Sequence, residues 1–173
     1  KKAHAALTAK QRTDRMGFAY GGAPKIDAPP LAKDDKEKQA LAALAKMAKG
    51  KWHLNITTRE GRVLRQLVEA KGAKYIVEGG TSSGYSTIWL ALGARAAGGH
   101  VYTHEINPKM IELARENFKL AGVDDMITII KGDAHETIKQ HKDPIDAIFL
   151  DAEKKGYVDY LAKLLPIIRP GGL

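Results

Sequence analysis

Four short apolar runs, rich in β-branched residues, each end on a carboxylate: Tyr75-Ile76-Val77-Glu78, Val101-Tyr102-Thr103-His104-Glu105, Ile127-Thr128-Ile129-Ile130-Lys131-Gly132-Asp133 and Ala147-Ile148-Phe149-Leu150-Asp151. A stretch of helical periodicity follows each run, so the pattern predicts repeated strand-loop-helix units and a parallel sheet with an acid at every strand exit. Open α/β sheets bind ligands in the crevice outside the carboxyl ends of their strands. Acids clustered there suit a ligand with hydroxyls and positive charge better than one with phosphates. Acids at strand exits also cap the following helix, and Asp133-Ala134-His135-Glu136 has the spacing of a capping box, so both roles stand open for Asp133.

The loop after Glu78 narrows the ligand. It reads Gly79-Gly80-Thr81-Ser82-Ser83-Gly84-Tyr85-Ser86, with glycines where a strand turns tightly and a backbone approaches a ligand closely. A dinucleotide fingerprint needs glycines spaced two and then three apart, and neither Gly79 nor Gly80 has a glycine two residues on. A nicotinamide oxidoreductase thereby loses its main support, although Glu105 lies near the distance expected of a ribose-binding acid. No Gly-Lys-Ser/Thr phosphate loop is present. What remains is Glu-x-Gly-x-x-x-Gly followed by a strand ending in Glu, a pattern for an adenosyl ligand without a pyrophosphate.

Several strings then match one family: Asn55-Ile56-x-x-x-Glu60-Gly61, Val77-Glu78-Gly79-Gly80-Thr81-Ser82-Ser83-Gly84-Tyr85-Ser86, His104-Glu105-Ile106-Asn107-Pro108, Ala114-Arg115-Glu116-Asn117-Phe118, Gly132-Asp133-Ala134, Leu150-Asp151-Ala152-Glu153-Lys154 and Arg169-Pro170-Gly171-Gly172-Leu173. Their order and spacing carry the match more than any one of them. From about Lys51 onward the chain resembles the small S-adenosylmethionine-dependent O-methyltransferases of the catechol and caffeoyl-coenzyme A type, most closely their bacterial relatives. The resemblance implies a Rossmann-like, doubly wound, mostly parallel sheet of order 3-2-1-4 with right-handed crossovers. Gly79 departs from the pattern, which usually has an aliphatic residue there, so the first strand is expected to end early or pack loosely at that point.

Residue roles follow from the resemblance alone. It implies that Glu78 and Gly80 border the methionine end of S-adenosylmethionine, with Ser86 and the backbone at Ile56 at its carboxylate. Glu105 would accept from both ribose hydroxyls, Ile106 would pack on the adenine face, and Asp133 with the Ala134 amide would read the adenine edge. Two of these have plainer alternatives, Ile106 as core and Ser86 as a helix cap. Asp151 would border the cofactor and bind a divalent cation such as Mg²⁺. Lys154 would face the acceptor hydroxyl as base, chosen over the adjacent Lys155 by spacing. The family's other two metal ligands, an Asp-Asn pair on the next strand, would lie past Leu173, and a fragment of a longer protein, cut after the fourth strand-helix unit, is the expectation.

Composition fits one α/β domain, residues 52–173, preceded by an arm. The 173 residues are 44% hydrophobic, contain no cysteine and show no apolar run of transmembrane length. The net charge of +8 is concentrated in residues 1–51, which hold 12 Lys/Arg against 5 Asp/Glu. Within the arm, residues 21–30 read as linker, and Asp34 to Lys49 as a helix ended by Gly50. A basic arm can meet RNA or a membrane surface, but without aromatic interleaving or an Arg cluster a solvated arm is favoured. Trp52 stands where the resemblance implies a border of the acceptor pocket, with a core anchor as the alternative. The helix Glu60 to Lys71 is expected to bury the stripe Val63, Leu64, Leu67 and Val68, and Trp89, Leu90 and Leu92 are expected core. The six histidines show no ligand spacing.

The function expected is methyl transfer to a hydroxyl of a small aromatic acceptor. Catechols, phenylpropanoids and tRNA hydroxyuridine all stay open as acceptors, as do a homodimer and, from other classes, a nicotinamide oxidoreductase or a non-catalytic binding domain. A cytoplasmic location is expected. An exported form stays open, because the first residue is Lys rather than Met.

Overall fold

The computed structural model describes residues 30–50, 53 and 55–173. The first 29 residues, which hold most of the basic arm and its linker, and Trp52 lie outside the described residues. A compact unit runs Ala32–Leu173. Its elements in chain order are α1 (Asp35–Lys49), α2 (Thr58–Lys71), β1 (Tyr75–Gly79), α3 (Tyr85–Ala94), β2 (His100–Glu105), α4 (Pro108–Ala121), β3 (Ile127–Lys131), α5 (Ala134–Thr137), β4 (Ala147–Leu150) and α6 (Tyr157–Leu164).

All four expected strands form, and they pair in parallel in the order β3-β2-β1-β4. The chain adds β2 and β3 on one side of β1 and β4 on the other, which puts the topological switch point between β1 and β4. The sheet is α/β and Rossmann-like, as expected. One face packs α1, α3 and α4 through Ala40, Leu44, Ile76, Ile88, Val101 and Phe118. A second, smaller cluster joins Val77, Ile138, Ile145, Tyr160 and Leu164.

Local chemistry sets the element ends. Asp34 caps α1 by accepting from the Glu37 amide, and Thr57 with Glu60 closes a reciprocal capping box on α2. α3 is buried on every side, all ten residues included, as a helix wedged between sheet and neighbouring helices must be, and its two hydroxyl residues Ser86 and Thr87 are hydrogen-bonded.

Two expectations about packing are corrected. Of the stripe expected on α2, Val68 is buried and Leu64 packs partly buried against the core, but Val63 and Leu67 are 48% and 47% exposed, and Gly61 and Arg65 are buried in their stead. The reason is the partner surface: a Cβ on Gly61 would fall 2.3 Å from the Trp89 ring, so only glycine lets the indole lie against this helix. Arg65 enters the same seam because its Nη2 donates to Glu37 Oε1 at 2.8 Å, pairing two buried charges between α1 and α2. Nor does β1 end early at Gly79. That residue pairs with both His104 and Leu150, and a Cβ there would meet Leu150 at 3.3 Å, so the loss of a side chain is matched by a closer neighbour.

Candidate functional site

At the carboxyl ends of the strands lies a cavity of about 370 Å³, within the range of small-molecule sites, lined among others by Gly80, Ser82, Glu105, Asp133, Asp151 and Glu153. Three of the four strand-exit acids therefore meet in one space. The fourth, Glu78, is 0% exposed and lies beneath the loop.

Glu78 is sealed by hydroxyls. Its carboxylate accepts from Ser86 Oγ at 2.6 Å, Thr87 Oγ1 at 2.5 Å and Thr103 Oγ1 at 2.6 Å, and Thr81 lies 2.7 Å from Thr103 behind it. Burial pushes its pKa up to about 7, against the opposing effect of those three donors. Ser86 thus holds Glu78 rather than capping a helix: the N-cap of α3 is Gly84, and no side chain caps there.

The loop between β1 and α3 is fixed by close approaches. Gly80 has φ +96°, and a Cβ there would lie 2.7 Å from the Asp151 carbonyl, so the exits of β1 and β4 touch backbone to backbone. Ser82 has φ +48°, the left-handed region that costs a residue with a Cβ about 1–3 kcal/mol. Its amide donates to Glu105 Oε2 at 2.8 Å, which compensates. Glu105 Oε1 accepts from the amides of Ile106 and Asn107 at 3.0 and 2.8 Å. Three of the roughly four lone-pair positions of this carboxylate are thereby set by backbone, and its orientation in the cavity is determined before any ligand arrives.

Ile106 is 66% exposed at the cavity and so is not core. Asp133 caps α5, accepting from the His135 amide at 2.9 Å, and lines the cavity with Ala134. The box read into this stretch does not close, because Glu136 turns to Lys139 instead of back to residue 133. Asp151 lines the same space, its pKa raised by burial first and then by the charge of Glu60, with Lys154 opposing. Lys154 itself is exposed, at the start of the turn Lys154–Gly156. Ile56 does not line this cavity; it borders a separate groove with Met47, Thr58 and Tyr85.

Two groups of histidines were not legible from spacing. His104, on β2, lies in a chain of bonds with Thr137 at 2.8 Å, His141 at 2.8 Å and, beyond it, Tyr75 at 2.9 Å from His141. Thr137 donates to the Asp133 carbonyl, so it accepts from His104 Nδ1; His104 Nε2 then accepts from His141, and His141 Nδ1 from the Tyr75 hydroxyl. Both rings are neutral in this arrangement, and burial, followed by the neighbouring His141, brings the His104 pKa down to about 4. The one signal for this pair was the alternation His100, Tyr102, His104 on a single face of β2. The second group is His135 with Glu153, Asp159 and Tyr160, at one end of the cavity.

Among the described residues, no group of three or more His, Cys, Asp or Glu could hold a metal ion. No helix among them is long and apolar enough to cross a membrane.

Comparison with known proteins agrees with this geometry. Residues 32–173 match the model of a family described as O-methyltransferase. The chain is 34% identical over 154 residues to a catechol O-methyltransferase of Mycobacterium tuberculosis, covering 87% of this chain and 69% of that protein. It is 36% identical over 138 residues to a catechol O-methyltransferase of Niastella koreensis, covering 77% of this chain and 62% of the relative. It is also similar to the crystal structure of an O-methyltransferase from Bacillus cereus in complex with SAH, with a TM-score of 0.66, 34% identity, and coverage of 81% of this chain and 64% of that one. The chain thus spans roughly two thirds of the length of the relatives it matches.

Proposed function

The chain belongs to the O-methyltransferase family, and on that premise we propose that it binds S-adenosylmethionine in the strand-exit cavity and serves methyl transfer to a hydroxyl of a small, catechol-like aromatic acceptor. The observation that carries the reading is Glu105, a carboxylate oriented by three backbone amides at the exit of β2, beside the glycine turn of β1. An acid so oriented keeps one acceptor position open, on Oε2, suited to accept from a ribose hydroxyl.

The other residues sort by position. Ile106 offers an exposed aliphatic face to the adenine, and Asp133 with the Ala134 amide offers an acceptor and a donor for its edge. Gly80 stands at the methionine end, and the sealed Glu78–Ser86 pair lies beneath that loop and outside the cavity lining, so it supports the turn instead of touching the ligand. Bound there, S-adenosylmethionine supplies a methyl group on a sulfonium, open to attack by an oxygen. Lys154, whose charge acts on Asp151, takes the proton of the acceptor hydroxyl in its neutral amine form, after giving its own proton to water. Asp151 fits one ligand position of a Mg²⁺ ion, a hard cation that takes one or two carboxylates and completes its shell with water and substrate oxygens. The relatives named for catechol support the acceptor class.

Replacing Glu105 with Ala removes the ribose acceptor while leaving the sheet intact. Affinity for S-adenosylhomocysteine, read by calorimetric titration, should fall at least about tenfold. An unchanged dissociation constant in a folded variant would take Glu105 out of the site.

A further inference from the structure

His135 is bonded to a carboxylate at each ring nitrogen. Its Nδ1 lies 2.5 Å from Asp159 Oδ2 on α6, and its Nε2 lies 3.0 Å from Glu153 Oε1 in the loop after β4. A neutral imidazole has one donor and would point a lone pair at one of these acids; only the imidazolium satisfies both. The surroundings are built for this arrangement. The Tyr160 ring packs against the imidazole, tilted by 41° with the centroids 4.7 Å apart, and its hydroxyl donates to the same Glu153 oxygen at 2.5 Å. Lys163 donates to the His135 carbonyl at 2.8 Å and pairs with Asp159. Gly156 leaves room for the contact, because a Cβ there would fall 2.3 Å from Glu153 Oε1 and 2.6 Å from the Tyr160 ring.

The three elements joined in this way are two walls of the cavity and the helix behind them. Asp133, Ala134 and His135 form one wall, and Asp151, Ala152 and Glu153 the other. The geometry points to protonated His135 as a positioning residue, a clasp that holds the loop after β4 against the loop after β3 and so sets the width of the cavity at its adenine end. The role rests on the cofactor reading above. The side chains of His135, Glu153 and Asp159 are 38%, 54% and 40% exposed, so the clasp adds little to global stability and acts on the local spacing of the two loops.

The charged and titratable groups around the ring are Asp133 at the cap of its own helix, Glu153 from the loop, and Asp159, Tyr160 and Lys163 from α6; Glu136 pairs with Lys139 instead. The hydrogen bond that the ring donates to Asp159, and then the one it donates to Glu153, raise the His135 pKa against an opposing effect of burial. Cofactor affinity should accordingly be full at low pH and decline as pH rises through the range in which His135 loses its proton.

The test is calorimetric titration of S-adenosylhomocysteine from pH 6 to pH 9 on the full chain and two variants. Glu78 and the ligand's own amino group also titrate in this range, so the comparison between variants carries the result. Wild type should lose about two- to fivefold in affinity with rising pH beyond any loss shared with the variants, the scale expected of exposed ion pairs. His135→Gln should remain at the weaker level throughout, and His135→Arg, a permanent cation, should remain at the tighter one. A wild-type profile that matches His135→Gln at every pH would overturn the clasp alone. No binding at any pH in any form would overturn the cofactor reading and the clasp with it.

Discussion

Replacing Lys154 with Met in the intact gene product is expected to slow methyl transfer by about 10²–10⁴-fold, the usual worth of a general base, with cofactor affinity nearly unchanged. The split follows from where the amine stands. Lys154 begins the turn after β4, where its charge is felt by Asp151, whereas the acids expected at the ribose and adenine leave from β2 and β3. A group that acts on the acceptor oxygen changes the free energy of the transition state and leaves that of the bound cofactor alone. Methionine keeps most of the length and apolar stem of lysine, so the variant removes the proton acceptor with little loss of packing. Single-turnover rates and calorimetric affinities measured on the same preparation check the two halves of the expectation. A rate that survives the substitution would leave the acceptor to ionise without this residue and would assign the catalysis mainly to proximity.

The second large effect concerns the seam between α1 and α2. Arg65→Met should lower unfolding free energy by about 3–5 kcal/mol, a large share of the 5–15 kcal/mol typical of a domain. Glu37 is 2% exposed, and its other oxygen accepts from the Lys33 amide at 2.8 Å, so loss of the guanidinium leaves a carboxylate in the interior with a single donor. Removing both charges tests the cause. The double variant Arg65→Met with Glu37→Met should recover most of the loss, because an apolar pair of similar volume carries no desolvation penalty. Urea unfolding of the three proteins gives the comparison. A single-variant loss below about 1 kcal/mol would place the pair with ordinary surface ion pairs.

This seam also shows where reading residues in order stops. Strand positions were legible because β-branched runs bounded by glycine and acid have few other readings, and β3-β2-β1-β4 is the order that the family's pattern implied. The buried face of α2 was legible at Val68 and in part at Leu64, but not at Gly61 and Arg65. Periodicity counts apolar side chains and selects Val63 and Leu67, but the indole of Trp89 needs the missing side chain of Gly61, and Arg65 is buried by a partner 28 residues away. Hydropathy carries neither fact.

The site divides in the same way. Glu105, Asp133 and Asp151 share the cavity because each ends a parallel strand, which places them on one edge whatever the helices do. Glu78 obeys the same rule and yet is sealed, because Ser86, Thr87 and Thr103 meet around it. His135 gains its role from residues 18 and 24 positions further on, and the His104–His141 pair spans 37. Such pairs depend on loop lengths and helix rotation, which no local pattern encodes.

The assignment of the cavity stands or falls on which nucleotide enters it. Calorimetric titration of the wild-type chain with S-adenosylhomocysteine and, in a parallel experiment, with NADH decides this most directly. Glycine spacing at residues 79–84 and the acids at the strand exits predict one-to-one binding of S-adenosylhomocysteine and none of NADH, whose pyrophosphate would meet Glu105, Asp133 and Asp151. Binding of NADH without S-adenosylhomocysteine would contradict it.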